Sequence, residues 1–169
     1  ASLAAHPGMK IKSFALASLL AILPLTGHAQ LVDTEWRVTA FTGEAWFIKP
    51  DDVIGKTQQF YKGDADGAFF QCPYAGMSKT YTTYSVDDFL ANPEFKLFAP
   101  AAEGLRKSGQ KVFVHRISCA GKGDPAMRRV IYPFVTTEKP DAAYYLFEGG
   151  FFTLKNNQPA PAKPAAQKK

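Results

Sequence analysis

The sequence predicts a mainly β fold, an antiparallel barrel of about eight strands with one or two short helices. Short runs rich in β-branched and aromatic residues recur along residues 31–155. Clusters of turn-forming residues separate these runs at intervals of roughly 8–12 residues, the spacing of small β domains. Helix signals are confined to the middle of the chain. A sandwich of two sheets, built from the same strands, is the alternative.

The strands are predicted from alternation and from the turns between them. Residues 36–41 alternate apolar and polar side chains at first and end at Gly43, as a half-buried strand does. Residues 57–62 and 68–72 flank a turn-forming cluster at 63–67 and predict a hairpin. Further strands are predicted at 45–48, 78–86, 110–119, 129–136, 143–147 and 151–155. Residues 148–150, Glu-Gly-Gly, predict a tight turn or a bulge.

Two segments predict helices. Residues 87–91 begin with Asp87 and Asp88, carboxylates that suit a helix N-terminus, and stop before Pro93. Residues 101–107 are followed by Gly109, which is typical of a helix end. Both predicted helices are short.

The two ends of the predicted domain resemble a known kind of barrel. Residues 34–40, TEWRVTA, resemble the opening strand of small exported META-type and lipocalin-like barrels, in which a Trp lies near the start of strand one. Residues 151–154, FFTL, are similar to their closing strand. Thr34 stands where lipocalins usually have Gly, and the glycine-cysteine-asparagine motif of META domains is absent. The resemblance implies a barrel and assigns no functional residue.

Residues 9–29 predict a cleavable signal peptide. Lys10 and Lys12 precede an apolar run at 14–25, which is too short to span a bilayer. Small residues before Gln30 predict cleavage between Ala29 and Gln30 and a periplasmic or secreted protein. Residues 1–8 are interpreted as an extension ahead of a start at Met9. Since Gln30 is not Cys and no apolar run of 18 or more follows, neither a lipid anchor nor an integral membrane span is expected.

The rest of the chain predicts one domain and a tail. Residues 30–155 are interpreted as a single β-rich domain, and residues 156–169, rich in Pro, Ala and Lys, as a disordered tail. The tail is interpreted as a solvated end, with weak contact to anionic envelope surfaces as the alternative. The chain has 20 Lys and Arg against 15 Asp and Glu. Two of these Lys lie in the signal segment and three in the tail, so the domain is nearly neutral, and no nucleic-acid partner is predicted.

Cys72 and Cys119 are the only cysteines. In an exported protein an isolated pair is most simply a disulfide. No C-x-x-C motif is present, which argues against a redox pair. The sequence therefore predicts no free thiol in the exported protein.

No catalytic residue, metal site or cofactor is predicted. His115 is the only histidine after residue 29, and it lies inside a predicted strand among apolar neighbours. The D-x-D-G stretch at 64–67 lacks the further acidic ligands of a calcium loop and is interpreted as a turn. No G-x-S-x-G motif occurs.

Paired aromatic residues are the remaining functional signal. Adjacent residues of a strand face opposite sides of the sheet, so one member of each pair is predicted to face outward. The outer members are either covered by loops and helices or form a contact surface. The candidate binding residues are Trp46, Phe69, Phe70, Tyr144, Tyr145, Phe151 and Phe152.

These observations favour a non-enzymatic exported domain that binds an envelope protein through an aromatic surface. One alternative is a carrier of a small apolar ligand in the barrel interior, which requires a barrel wide enough to leave a cavity. Another is an inhibitor of an envelope-degrading hydrolase such as lysozyme. A nearly neutral domain does not supply the acidic surface that would favour such an inhibitor.

Overall fold

The computed structural model describes residues 31–44, 48–72, 76–121, 124–139 and 141–158. It contains eight strands, two short α-helices and two stretches of 3-10 helix. The strands are β1 (Thr34–Gly43), β2 (Thr57–Phe60), β3 (Ala65–Gly67), β4 (Met77–Tyr84), β5 (Val112–Gly121), β6 (Asp124–Thr137), β7 (Ala142–Phe147) and β8 (Gly150–Gln158). The helices are α1 (Val86–Ala91) and α2 (Ala102–Ser108), with 3-10 helices at Pro50–Asp52 and Pro93–Ala101.

All eight strands belong to one antiparallel sheet that curls into a half-barrel. The strand order is β3-β2-β1-β8-β7-β6-β5-β4. Strands β4 to β8 form a meander in sequence order, and β1 pairs with β8, the last strand. The mainly β prediction with about eight antiparallel strands is therefore confirmed, in the form of a single curled sheet rather than a two-sheet sandwich.

The connection between β3 and β4 joins the two edges of the sheet. Backbone hydrogen bonds link Ala65 of β3 with Cys72 in this connection. The amide of Met77, at the start of β4, donates to the carbonyl of Gly63 at 3.0 Å. Cys72 lies at disulfide distance from Cys119 of β5, with Cα atoms 5.4 Å apart. The disulfide and these hydrogen bonds hold the two edges together at one end of the half-barrel.

The first hydrophobic core fills the concave side of the sheet. Trp36 and Phe60 approach the ring of Phe134 with centroids 5.8 and 5.0 Å apart. Phe152 of β8 and Tyr145 of β7 both pack against Phe69, which enters from the β3–β4 connection. These side chains are almost fully buried, so the concave side is a packed protein core.

The second core lies between the opposite face of the sheet and the helical segment, residues 86–108. Phe89, Phe95 and Phe98 of this segment are buried against Val114 of β5 and Phe151 of β8. The Ser85 hydroxyl caps α1 by accepting from the amide of Asp88 at 3.1 Å. α2 ends at Gly109, whose positive φ of 60° suits a glycine C-cap. The two cores together bury both faces of the central strands.

Several boundaries differ from the sequence prediction. The predicted hairpin places its second strand at 68–72, whereas β3 is Ala65–Gly67 and the following residues carry Phe69 and Phe70 into the core. β8 continues to Gln158, past the expected domain boundary at 155, because Asn156 pairs with Trp36 of β1. The predicted strand at 45–48 lies mostly outside the described residues, as do the predicted signal segment 9–29, the leading residues 1–8 and most of the predicted tail.

None of the helices in the described ranges is both long and apolar enough to cross a bilayer.

Candidate functional site

Four of the predicted binding residues are buried in the first core: Phe69, Phe70, Tyr145 and Phe152. Phe69 contacts the rings of Tyr145, Phe147 and Phe152 at centroid distances of 4.9 to 5.4 Å. A partner could not reach these four rings without opening the core. Their role in this structure is to pack the half-barrel.

Tyr144 and Phe151 lie on the other face of the sheet, where their rings stack 5.8 Å apart. Both belong to the second core, and Phe151 is buried while Tyr144 is half-buried. The pairs at 144–145 and 151–152 are thus split between the two faces, as strand geometry predicts. Burial raises the pKa of the Tyr144 hydroxyl, with a smaller contribution from Asp141. Trp46 lies outside the described residues.

Gln58 is a buried polar residue with a structural role that sequence reasoning did not find. Its side-chain oxygen accepts from the backbone amides of Phe69 and Phe70 at 3.1 and 3.3 Å. Its side-chain nitrogen donates to the carbonyls of Asp66 and Phe70. Gln58 therefore satisfies the backbone of the connection that carries two aromatic rings into the core.

His115 is also buried, with 2% of its surface exposed. Its Nε2 is 2.9 Å from Oγ1 of Thr136, and the ring of Tyr81 lies 5.9 Å away. Burial lowers the pKa of His115 from 6.5 to about 4, and the positive charge of nearby Lys79 is the second cause. His115 is thus held neutral at pH 7 by a packed environment, and the Thr136 hydroxyl paired with it is itself buried, with 1% of its surface exposed.

An apolar cavity opens where the helical segment meets the turn between β7 and β8. Its volume is about 460 Å³. We call it the Leu97 groove, and its described lining residues are Thr42, Gly43, Leu97, Pro100, Leu146, Phe147, Glu148, Gly149 and Phe151. Leu97 is 62% exposed, more than any other large hydrophobic side chain among the described residues. Of the predicted binding residues, Phe151 lines this groove.

The turn between β7 and β8, which lines the groove, has a positive φ angle at a residue that is not glycine. Phe147 pairs with Gly150, so Glu148 and Gly149 form a two-residue hairpin loop. Their φ angles are 48° and 82°, both in the left-handed region that type I′ turns require. A larger residue at Gly150 would require the ring of Phe41 to shift, because an added Cβ would lie 2.5 Å from that ring. The tight turn predicted at 148–150 is therefore present.

Glu148 is the only ionisable residue among the described lining residues of the Leu97 groove. Its Oε2 atom is buried and has no hydrogen-bond partner within the described part of the chain. A buried carboxylate oxygen without a partner is unfavourable, because it has lost its hydrogen bonds to water and gained none from the protein. The groove thus combines apolar walls with one unsatisfied acidic group.

A second, larger cleft of about 890 Å³ lies beside β1 and β2. Its charged lining residues carry both signs: Glu35, Arg37, Lys49, Asp52 and Lys56. Two of them already have partners in the fold. The Arg37 guanidinium donates to the Gly55 carbonyl at 2.8 Å, and the Glu35 carboxylate accepts from Gln59 and Asn157. The other three, Lys49, Asp52 and Lys56, are exposed to solvent.

Within the described ranges, no three His, Cys, Asp or Glu side chains are grouped so that they could hold a metal ion. The Cys72–Cys119 pair is engaged in the disulfide, and neither cysteine is a free thiol. The arrangement of the Leu97 groove suits reversible binding of a ligand. The sequence feature at this groove was the Glu-Gly-Gly stretch. It predicted a turn, but it did not predict a carboxylate oxygen without a hydrogen-bond partner.

Comparison with protein-family models, with curated proteins and with solved structures found no match to this chain. The resemblance of the two end strands to META-type and lipocalin-like barrels therefore stays a prediction.

Proposed function

We propose that this chain is an exported, non-enzymatic binding domain that holds a small, largely apolar ligand in the Leu97 groove. The observation that carries the proposal is the groove itself, a cavity of about 460 Å³ whose described walls are mostly apolar. Small-ligand sites commonly have volumes of roughly 300–1,000 Å³ and combine apolar walls with few polar groups. Export is supported by the predicted signal peptide and by a cysteine pair at disulfide distance.

The position of the groove supports this assignment over a ligand inside the half-barrel. The concave side is occupied by buried rings such as Trp36, Phe60 and Phe134. A ligand there would have to displace packed core side chains, at a cost of several kcal/mol for each one lost. In the Leu97 groove, by contrast, a ligand would cover Leu97, which the fold leaves exposed.

The proposal is tested with 2-phenylethanol, a neutral apolar probe, added to the purified protein. We expect shifts of the backbone amide NMR signals of residues 146–151, and we expect Thr42→Trp to weaken binding about 10-fold or more by filling the groove. Thr42 is exposed at the groove, so this substitution does not disturb a core. Thr39→Trp, an exposed position of the same strand outside the described lining, is the matched control. Failure of the probe to bind, or equal loss in both variants, would count against the groove as a binding site.

An envelope protein partner is the second candidate function, and a specific observation favours it. β4 is an edge strand of eight residues that pairs with β5 on one side, and beyond Met77, whose amide bonds to Gly63, its other side pairs with no described strand. Its exposed residues include Tyr81, which is 55% exposed. A long, Thr- and Tyr-rich edge strand can accept an extended segment of another protein by β-augmentation.

This second candidate predicts site-specific contact at β4. A photo-crosslinking amino acid at Thr80, an exposed position of β4, should capture the envelope partner in cells that export the protein. The same amino acid at the exposed position Thr39 should not capture the partner, because Thr39 belongs to β1, a strand that lies between β2 and β8 in the sheet. Equal capture from both positions, or none from Thr80, would argue against β-augmentation.

A further inference from the structure

Glu148 occupies a position at which the fold alone would favour a different residue. The first residue of its two-residue turn has φ of 48°, a region in which Asn, Asp and Gly are favoured and longer side chains are uncommon. In addition, the buried Oε2 of Glu148 lacks a hydrogen-bond partner in the described structure. Two independent features therefore make this glutamate unfavourable for folding.

Unfavourable backbone and unsatisfied polar groups concentrate where a protein binds or reacts. Glu148 lines the Leu97 groove beside Leu146, Phe147 and Phe151, which contribute apolar side chains. A carboxylate within apolar walls is complementary to a ligand that carries a positive charge or a hydrogen-bond donor at one end and an apolar body at the other. No other described lining residue of the groove is charged, so none of these side chains competes for the carboxylate.

From these observations we infer that the Leu97 groove binds a small organic ammonium compound, whose nitrogen donates to the carboxylate of Glu148 while its apolar body covers Leu97. The inference rests on the proposed function and adds the chemical class of the ligand. Because Oε2 of Glu148 has almost no accessible surface in the free protein, the side chain turns toward the groove on binding, and the ammonium group supplies the partner that the described residues do not. The two-residue turn then presents the carboxylate from the end of the paired strands β7 and β8.

The test compares three probes that share a phenyl body: 2-phenylethylammonium, 2-phenylethanol and 3-phenylpropanoate. At pH 7 we expect the ammonium to bind the whole protein about 10-fold or more tightly than the alcohol, because a hydrogen bond to a charged group is stronger than a neutral one. The carboxylate should bind most weakly. Calorimetry or NMR titration measures all three dissociation constants.

Two variants, each of which removes the charge of one carboxylate, distinguish a direct contact with the ligand from a long-range electrostatic effect. Glu148→Gln should reduce the preference for the ammonium over the alcohol to less than about 3-fold. Glu138→Gln, at an exposed carboxylate outside the described lining of the groove, should leave the preference unchanged. If the wild-type protein binds the alcohol and the ammonium equally, the inference is wrong while the groove stays a binding site. If none of the three probes binds, the proposed function itself fails.

A stability measurement tests the inference without any ligand. Glu148→Asn places a residue suited to positive φ in the turn and removes the buried carboxylate, so the urea midpoint of unfolding should rise. The same variant should lose the preference for the ammonium probe. A lower urea midpoint would show that the Glu148 carboxylate stabilises the folded protein, and it would overturn the assignment of Glu148 to a ligand.

Discussion

His115 and Gln58 show how single buried polar residues set the properties of this domain. Each is almost fully buried, and each keeps a hydrogen-bond partner: Thr136 for His115, and the backbone of Phe69 and Phe70 for Gln58. Satisfied polar groups of this kind are compatible with a packed core, whereas charging or removing them is costly. Both residues therefore give measurable predictions.

His115 predicts a loss of stability in acid. Because its pKa in the folded protein is about 4, below the 6.5 of the unfolded chain, the unfolded state binds the proton more readily. Stability is thus fully present above pH 6.5 and is lost as the pH falls from 6.5 toward 4. Between pH 7 and pH 4 the wild-type protein should lose about 2–3 kcal/mol more than His115→Gln, as measured by urea unfolding. Parallel pH profiles for the two proteins would contradict this account.

Gln58 predicts a large effect of a nearly isosteric substitution. Gln58→Met keeps the volume of the side chain but leaves the amides of Phe69 and Phe70 without their acceptor. We expect unfolding free energy to fall by about 2–4 kcal/mol, the cost of stranding buried polar groups. Gln59→Met, at the half-buried neighbour on the same strand, is the control and should cost less than about 1 kcal/mol. Equal effects at the two positions would show that the contacts of Gln58 are unimportant.

At the scale of elements, the short helices and strands are stabilised by their contacts with the rest of the protein, since they are too short to be stable alone. β3 has three residues and α1 has six, too few for independent stability. The helical segment 86–108 is held by the phenylalanines that it buries against the sheet. The β3–β4 connection is held by Gln58 and by the disulfide between Cys72 and Cys119.

The disulfide predicts a stability change for the half-barrel. It joins residues separated by 47 positions, so the double variant Cys72→Ser, Cys119→Ser should lose up to roughly 4 kcal/mol through the entropy of the unfolded chain. Chemical unfolding of the oxidised protein and of the variant measures the difference. The oxidised protein should contain no titratable thiol before reduction. Unchanged stability in the variant would mean that the edges of the sheet are held by hydrogen bonds and packing alone.

At the scale of the whole molecule, the fold separates a packed interior from an open apolar groove. Aromatic side chains fill both cores, while the Leu97 groove forms where the helical segment, the β7–β8 turn and the end of β1 meet. These three parts are distant in sequence, so the groove exists only when the half-barrel is assembled. Ligand binding should therefore stabilise the whole domain.

Export predicts a defined N-terminus for the protein after secretion. Expressed from Met9 in cells with a functional secretion pathway, the protein should be recovered from the periplasm or the medium with Gln30 as its first residue. Intact mass and N-terminal sequencing measure this. Retention of residues 9–29 on the recovered protein would contradict a cleavable signal.

The sequence by itself determined the β class, the pairing of its two cysteines and the tight turn after β7, because alternation, composition and turn chemistry are local or nearly local properties. Only the tertiary structure decided that Phe69 and Phe70 both enter one core, that His115 is neutral and that Glu148 has a buried oxygen without a partner. Burial depends on which distant segments cover a residue. The connection that brings Phe69 onto β7 and β8, and the helical segment that carries Leu97 to the β7–β8 turn, create environments that no local pattern encodes.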